Sequence, residues 1–187
     1  MCLILLYFFF IVKNKIYIAR LKSLLDKKDY LDLIKNYSYT NNNEDFILVY
    51  SFSGPDNYPP VRRFLNRVKN HLNYKIYEYP FNNKSKIENF IYNISNCKAV
   101  VTCSFHGTVL SLIFNKPFVS FNLGVNGKER LRSLGKLFGV ENRIFRQYDY
   151  PNVNLLTIPP NANFSIIEDL RNKSLNFIKK NLGMKTI

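Results

Sequence analysis

Apolar runs of two different periods follow one another along the chain. Short β-branched and apolar runs, too short for buried helices, are typical of strands covered on both faces of a parallel sheet. Between them, apolar residues recur every three or four positions, as on one face of a helix. The sequence therefore predicts an α/β fold with a doubly wound, mostly parallel, Rossmann-like sheet and right-handed crossovers. Predicted strands cover residues 46–52, 75–79, 97–103, 118–121 and 143–146, and predicted helices start near Pro59, Ser85, Ser104, Lys128 and Ser165.

Boundary signals are clearest around the central strand. Ser104 carries the hydroxyl of an N-cap residue, and Lys116 with Pro117 predicts the end of that helix before the next strand. Pro59 and Pro60 suit the first turn of the first crossover helix. Capping boxes are predicted at Ser85 with Glu88 and at Ser165 with Glu168, and Gly139 is predicted to end helix 128–138.

The chain divides into an apolar and helical N-terminal appendage with an Asn-rich linker, 1–44, and a Rossmann-like domain, 45–187. The segment Cys2–Val12 is almost entirely apolar, but its roughly 11 residues fall short of the about 20 that cross a bilayer. Basic residues follow this segment instead of preceding it, which argues against a signal peptide. Two interpretations stay open: an element of a partner domain, or an anchor at the inner face of the membrane backed by Lys13 and Lys15.

Composition limits the class of protein and leaves the role of its charge open. Of the 187 residues, 47% are hydrophobic, which excludes a disordered chain. The net charge of +14 is typical of proteins that bind nucleic acid, anionic lipid or phosphorylated substrates. Abundant Lys, Asn, Ile, Tyr and Phe also match the residue usage of an AT-rich coding sequence. The charge therefore has two explanations, and we predict no specific nucleic-acid partner.

Cysteine and histidine are scarce. Cys97 and Cys103 bracket the central strand, so they lie roughly 20 Å apart at about 3.3 Å per residue and cannot form a disulfide. The chain contains two histidines, His71 and His106, and no paired-cysteine or His-Glu-x-x-His motif that would hold a metal. We expect a cytoplasmic protein with no metal site and no cofactor.

A polar turn, 104–108, joins the central strand to the following helix and contains His106. In such β-α-β units ligands bind at the carboxyl ends of strands, where a helix N-terminus offers N–H groups and partial positive charge. The backbone N–H groups of Gly107 and Thr108, with the nearby hydroxyls, are predicted to bind an anion. The turn-rich loop after strand 46–52 is expected at the same edge. The predicted site residues are Ser53, Gly54, Ser104, Phe105, His106, Gly107 and Thr108.

Five stretches of the sequence, taken together, resemble the sequence pattern of a known protein family. Val100–Thr108 contains a strand that ends in Ser-Phe-His-Gly, and Asn115–Phe118 leads into the next strand. Phe46–Tyr50 supplies an earlier strand, while Arg130–Leu134 and Leu170–Phe177 belong to later helices. Together they resemble the C-terminal half of the polysaccharide pyruvyl transferase family, which has a Ser-(Phe or Arg-Leu)-His-Gly-like turn between a strand and a helix.

The resemblance covers roughly residues 45–182 and implies one half of a glycosyltransferase-B-like architecture, the half that holds the donor phosphoenolpyruvate. It implies transfer of an enolpyruvyl unit to two hydroxyls of a cell-surface saccharide, giving a pyruvate ketal and phosphate. His106 would protonate the donor's methylene carbon, a role that typically contributes about 10²–10⁴ in rate. Because the family's N-terminal half is missing, we expect little activity from this chain alone, and either a partner half or self-association.

The resemblance also leaves a gap in the donor site. Some family members have Arg before the His-containing turn, where this chain has Phe105. Arg130 and Arg132 are predicted to supply the bidentate contacts that carboxylate and phosphate require. A solvated helix face is the alternative for both, and it is the interpretation we give to Arg62 and Arg63.

Two other functions stay open at this stage. A nucleotide-sugar glycosyltransferase also binds phosphate at helix N-termini, although the Glu-x-x-x-x-x-x-Glu pattern of many such enzymes is not evident. A non-catalytic, truncated module that binds an anion or a partner chain is the third interpretation. For His106 itself, a helix cap or a hydrogen bond within the core is the alternative to catalysis.

Overall fold

The computed structural model describes residues 27–36, 44–51, 55–79, 86–123 and 128–166, and beyond these only 169, 172 and 176. Within this part of the chain, five strands form one all-parallel sheet in the order β2-β1-β3-β4-β5. Helices flank this sheet, which confirms the predicted Rossmann-like, doubly wound α/β fold. In chain order the elements are α1 Lys27–Ile34, β1 Phe46–Tyr50, α2 Pro59–His71, β2 Lys75–Glu78, α3 Ile87–Asn96, β3 Ala99–Thr102, α4 Phe105–Ile113, β4 Phe118–Phe121, α5 Lys128–Phe138 and β5 Ile144–Phe145.

Successive residues of the central strands face opposite sides of the sheet, and both sides are covered. Leu48, Val100 and Phe118 pack against α1, α3, α4 and α5 on one face. On the other face the neighbouring strand residues, such as Val101 and Phe121, pack against α2 and a short 3₁₀ turn, Val153–Leu156. This two-sided burial explains why the strands are continuously apolar.

The ends of α4 follow from local hydrogen bonds. The hydroxyl of Ser104 accepts a hydrogen bond from the backbone N–H of His106, as the sequence predicts for an N-cap residue. At the other end the terminating residue is Asn115, with a φ of 50°, and the predicted stop at Pro117 comes two residues later. The N–H groups of Asn115 and Lys116 bond back to the carbonyls of Leu112 and Ser111, which forms a Schellman motif.

Other predicted boundaries have mixed outcomes. Gly139 ends α5 with a φ of 68°, as predicted. Helix α3 has Lys86 at its N-cap and no side-chain cap, so the predicted capping box that starts at Ser85 is wrong. Glu168 lies outside the described residues, as does the apolar segment Cys2–Val12.

After β5 the chain crosses the face covered by α2, and a buried arginine holds it there. Arg143 is 4% exposed and its guanidinium donates to the carbonyls of Phe118, Leu155, Ile158 and Pro159 at 2.8–3.3 Å. Burial lowers the pKa of this guanidinium. One cation thereby hydrogen-bonds to a carbonyl of β4 and to three carbonyls of the segment 155–159.

Replacing this arginine tests the role of that anchor. We expect Arg143→Met to lower the free energy of unfolding by roughly 2–4 kcal/mol, because several buried carbonyls lose a charged donor. Urea unfolding measures the change, and Arg146→Met, at an exposed arginine three residues later, should change it by less than about 0.5 kcal/mol. Equal stability of the two variants would contradict the proposal that Arg143 anchors the segment after β5.

The close contact between α4 and β3 gives a second test. A Cβ added at Gly107 would lie 2.5 Å from the hydroxyl oxygen of Thr102, which is buried. We expect Gly107→Ala to cost about 1–3 kcal/mol of unfolding free energy by forcing helix and strand apart. Gly135→Ala should cost less, because its tightest contact, at 2.8 Å, is the movable end of Ile144, and Glu141 lies at 3.4 Å. Thermal unfolding of the two variants measures both losses of stability. A larger loss in Gly135→Ala than in Gly107→Ala would refute this account.

Candidate active site

The strand order creates one point where neighbouring connections diverge. From β1 the chain passes through α2 on one face of the sheet toward β2, whereas from β3 it passes through α4 on the opposite face toward β4. The carboxyl ends of β1 and β3 are adjacent, and connections that diverge in this way leave a crevice between them in open α/β sheets. Open α/β sheets of this order bind ligands at such a switch point. The predicted histidine turn, 104–108, forms one side of that crevice.

Thr102, the last residue of β3, ties the two sides of the crevice together. Its hydroxyl donates to the carbonyl of Tyr50 at 2.7 Å and accepts from the backbone N–H of Ser104 at 3.0 Å. These bonds join the end of β1, the end of β3 and the start of the turn. The backbone around the turn is therefore fixed before any ligand arrives.

The two hydroxyls predicted as anion ligands have partners inside the protein. Ser104 caps α4, and Thr108 donates to the carbonyl of Ser104 at 3.0 Å and pairs with the hydroxyl of Ser120 at 2.8 Å. Both side chains are completely buried. These hydroxyls hold the turn in shape, and direct contact of either with an anion stays a prediction that the hydrogen bonds do not favour.

Within the turn 104–108, His106 is the residue that is not buried. Its ring lies edge-on to Phe105, with centroids 6.2 Å apart. The guanidinium of Arg130 lies over the same Phe105 ring, 5.7 Å from its centroid. Phe105 thus lies between the imidazole of His106 and the guanidinium of Arg130.

Arg132 does not share this position. It lies on an exposed surface of α5, where its guanidinium is 4.0 Å from the carboxylate of Glu129. A pair this exposed and this long contributes little energy. Of the two arginines predicted for the donor site, the structure therefore brings Arg130 to the turn and leaves Arg132 beside its own helix neighbour.

The other side of the crevice is described in part. Ser53 and Gly54, both predicted site residues, lie outside the described residues. The turn that follows them is held by Arg62, which bonds to Asp56 at 2.6 Å and to Glu78 at 3.1 Å. These contacts raise the pKa of Arg62, mainly through the bond to Asp56. The sequence interpretation of Arg62 as a solvated face missed this bridge, although an acidic residue six positions earlier was a usable signal.

Three further findings concern metals, membranes and thiols. Among the described residues, no three His, Cys, Asp or Glu side chains converge as metal ligands, and no helix has the length and apolar character to cross a bilayer. Burial raises the pKa of the Cys97 thiol to about 12. This cysteine is therefore protonated and unreactive near neutral pH.

Comparison with known proteins identifies the family. A sequence model of the polysaccharide pyruvyl transferases matches residues 7–124, which include the histidine turn. The match begins well before residue 45 and ends before residue 182, so its extent differs from the resemblance we predicted. Neither the curated proteins nor the solved structures contain a match. With well over half of its length matched, this chain belongs to the polysaccharide pyruvyl transferase family.

Proposed function

We propose that this chain, as a pyruvyl transferase or its donor-side half, binds phosphoenolpyruvate between the carboxyl ends of β1 and β3 for transfer of the enolpyruvyl unit to two hydroxyls of a saccharide. The observation that carries the proposal is the position of His106, a partly exposed side chain in an otherwise buried turn at the switch point. Ligand-binding residues concentrate at such points in α/β folds. Family membership supports a transferase, and the turn supplies the group that such a transfer requires.

The proposed reaction needs one acid and produces one ketal. His106 protonates the methylene carbon of the donor, which becomes a methyl group while positive charge develops on the neighbouring carbon. The first sugar hydroxyl bonds to that carbon, phosphate departs with its bridging oxygen, and the second hydroxyl completes the ketal. Of the two hydroxyl protons, one replaces the proton that His106 gave up and the other leaves with phosphate.

The surroundings of His106 suit an anionic donor. α4, a helix of nine residues, begins at this turn, and the partial positive charge of its N-terminus suits an anion. The backbone N–H of Thr108, predicted as an anion donor, bonds instead to the carbonyl of Ser104 at 3.1 Å. Arg130 adds a full charge above Phe105, and its planar fork is suited to a carboxylate or phosphate. A phosphate bound here favours the protonated imidazole that the proposed acid step requires.

A ligand titration separates the candidate functions. We expect phosphoenolpyruvate to bind, and ³¹P NMR of its phosphate detects the binding. UDP-glucose should not compete. Binding of UDP-glucose alone would instead indicate a nucleotide-sugar glycosyltransferase. Binding of neither would indicate a module without donor chemistry.

The two histidines provide a matched pair for the catalytic proposal. We expect His106→Asn to lower transfer by at least about 10²-fold, because asparagine cannot donate a proton to carbon. His71→Asn should leave transfer unchanged, since His71 lies at the end of α2, where its ring bonds the carbonyl of Arg67. Phosphate release from phosphoenolpyruvate with pooled cell-surface saccharides measures the rate.

Thermal unfolding of the same variants supplies the control. A loss of stability in His106→Asn that parallels its loss of activity would favour a structural role for His106. Full activity in that variant would eliminate it as the acid.

The two arginines of α5 are tested in the same way. We expect Arg130→Gln to raise the dissociation constant for phosphoenolpyruvate about tenfold, because a charged contact near the turn is lost. Arg132→Gln removes the same charge from the same helix and should change the constant by less than about twofold. Equal effects of both variants would mean that only the general charge of the surface matters.

A further inference from the structure

Two exposed tyrosines follow β5 at the carboxyl edge of the sheet. Tyr148 is 80% exposed and Tyr150 is 77% exposed, the highest values among the large apolar side chains of the described residues. The backbone that carries them is nonetheless held in a turn: the carboxylate of Asp149 accepts from the N–H of Arg146 at 2.6 Å, and Pro151 is buried. Rings displayed to solvent on a fixed backbone are typical of a binding surface.

Helix α2 places two arginines against the same turn. Arg63 donates to the carbonyl of Gln147 at 3.4 Å, and the guanidinium of Arg67 lies 5.9 Å from the centroid of the Tyr150 ring. The two arginines are four residues apart, so they lie on one side of the helix. We call these four side chains, Tyr148, Tyr150, Arg63 and Arg67, the tyrosine–arginine surface.

The chemistry of this surface suits an acidic saccharide. The electron-rich face of a tyrosine ring packs against the C–H groups of a sugar ring, and two aromatic rings so close in sequence provide contact area at little entropic cost. Arginine forks bind carboxylates, and the stacked Arg67 keeps its ring partner in place. A neutral sugar needs the rings alone, whereas a sugar that carries a carboxylate uses the arginines as well.

The position of the surface connects it with the proposed reaction. The carboxyl end of β5 lies two strands from that of β3, or about 10 Å at the usual strand spacing. Both the histidine turn and the tyrosine–arginine surface follow carboxyl ends of this parallel sheet. Because α2 and α4 cover opposite faces of the sheet, an oligosaccharide that contacts both the surface and the turn has to pass over this carboxyl edge, which requires several sugar units.

We propose that the tyrosine–arginine surface is a subsite for an acidic saccharide chain whose hydroxyls are presented to the histidine turn. This proposal rests on the proposed function. Each transferred unit adds a carboxylate to the saccharide, so the arginines hold a modified chain more firmly than an unmodified one.

The experiment measures dissociation constants of the full chain by calorimetry at low salt. The acidic probes are octasaccharides of hyaluronan and of polygalacturonate, the neutral probe is maltooctaose, and oligo-dT serves as the nucleic-acid probe. We expect tighter binding of an acidic octasaccharide than of maltooctaose. The double variant Tyr148→Ala/Tyr150→Ala should weaken that binding about tenfold or more, whereas the corresponding double Phe variant retains it. Arg63→Gln/Arg67→Gln should remove the preference for acid.

Controls separate this proposal from loss of folding and from failure of the proposed function. Ile158→Ala, at a side chain that is 56% exposed elsewhere, should leave binding unchanged. All variants should keep the wild-type melting temperature and the wild-type affinity for phosphoenolpyruvate. Saccharide binding that depends on the tyrosines in a protein that does not bind phosphoenolpyruvate would sustain the subsite and refute the proposed function.

Three results would overturn the subsite. The first is that neither acidic octasaccharide binds, and the second is that the double Ala variant binds them as tightly as wild type. The third is that oligo-dT binds through the same residues more tightly than any saccharide, which would make this a surface for single-stranded nucleic acid.

Discussion

The hydroxyl of Thr102 joins the parts of this protein on which the site depends. It donates to the end of β1 and accepts from the residue that caps α4, so the two strands and the helix share one buried group. A buried hydroxyl must satisfy its donor and acceptor capacity inside the protein, and here both partners flank the crevice. The lack of a side chain at Gly107 lets the helix approach this hydroxyl. The presentation of His106 therefore follows from how tightly α4 is seated on β3.

Much of the fold could be predicted because burial on both faces leaves a clear pattern. The strands at 46–50, 99–102 and 118–121 coincide with largely apolar runs, and α5 ends at the predicted Gly139. The errors occurred where several residues competed for one boundary. Asn115 reverses the chain ahead of the more obvious Pro117, because it tolerates a positive φ and releases two N–H groups to cap the helix.

The site was harder to predict than the fold. Sequence indicated that Ser104 and Thr108 have hydroxyls near a helix N-terminus, but only three-dimensional structure shows that Ser120 and the local backbone already occupy them. The stacking of Arg130 over Phe105 joins residues from two helices, and no spacing in the sequence encodes that contact. Arg143 was not predicted for the same reason, since its partners are carbonyls that any residue type provides.

The covering of the sheet by the segment after β5 has a consequence for what counts as a domain here. Val153 and Leu156 bury Val119 and Phe121 on the face where α2 is the other cover, yet both lie beyond residue 124, where the family match ends. The core of this sheet therefore extends past the segment that the family model matches. A chain cut at residue 124 would leave Val119 and Phe121 without part of their cover, so the matched segment alone does not contain the complete core.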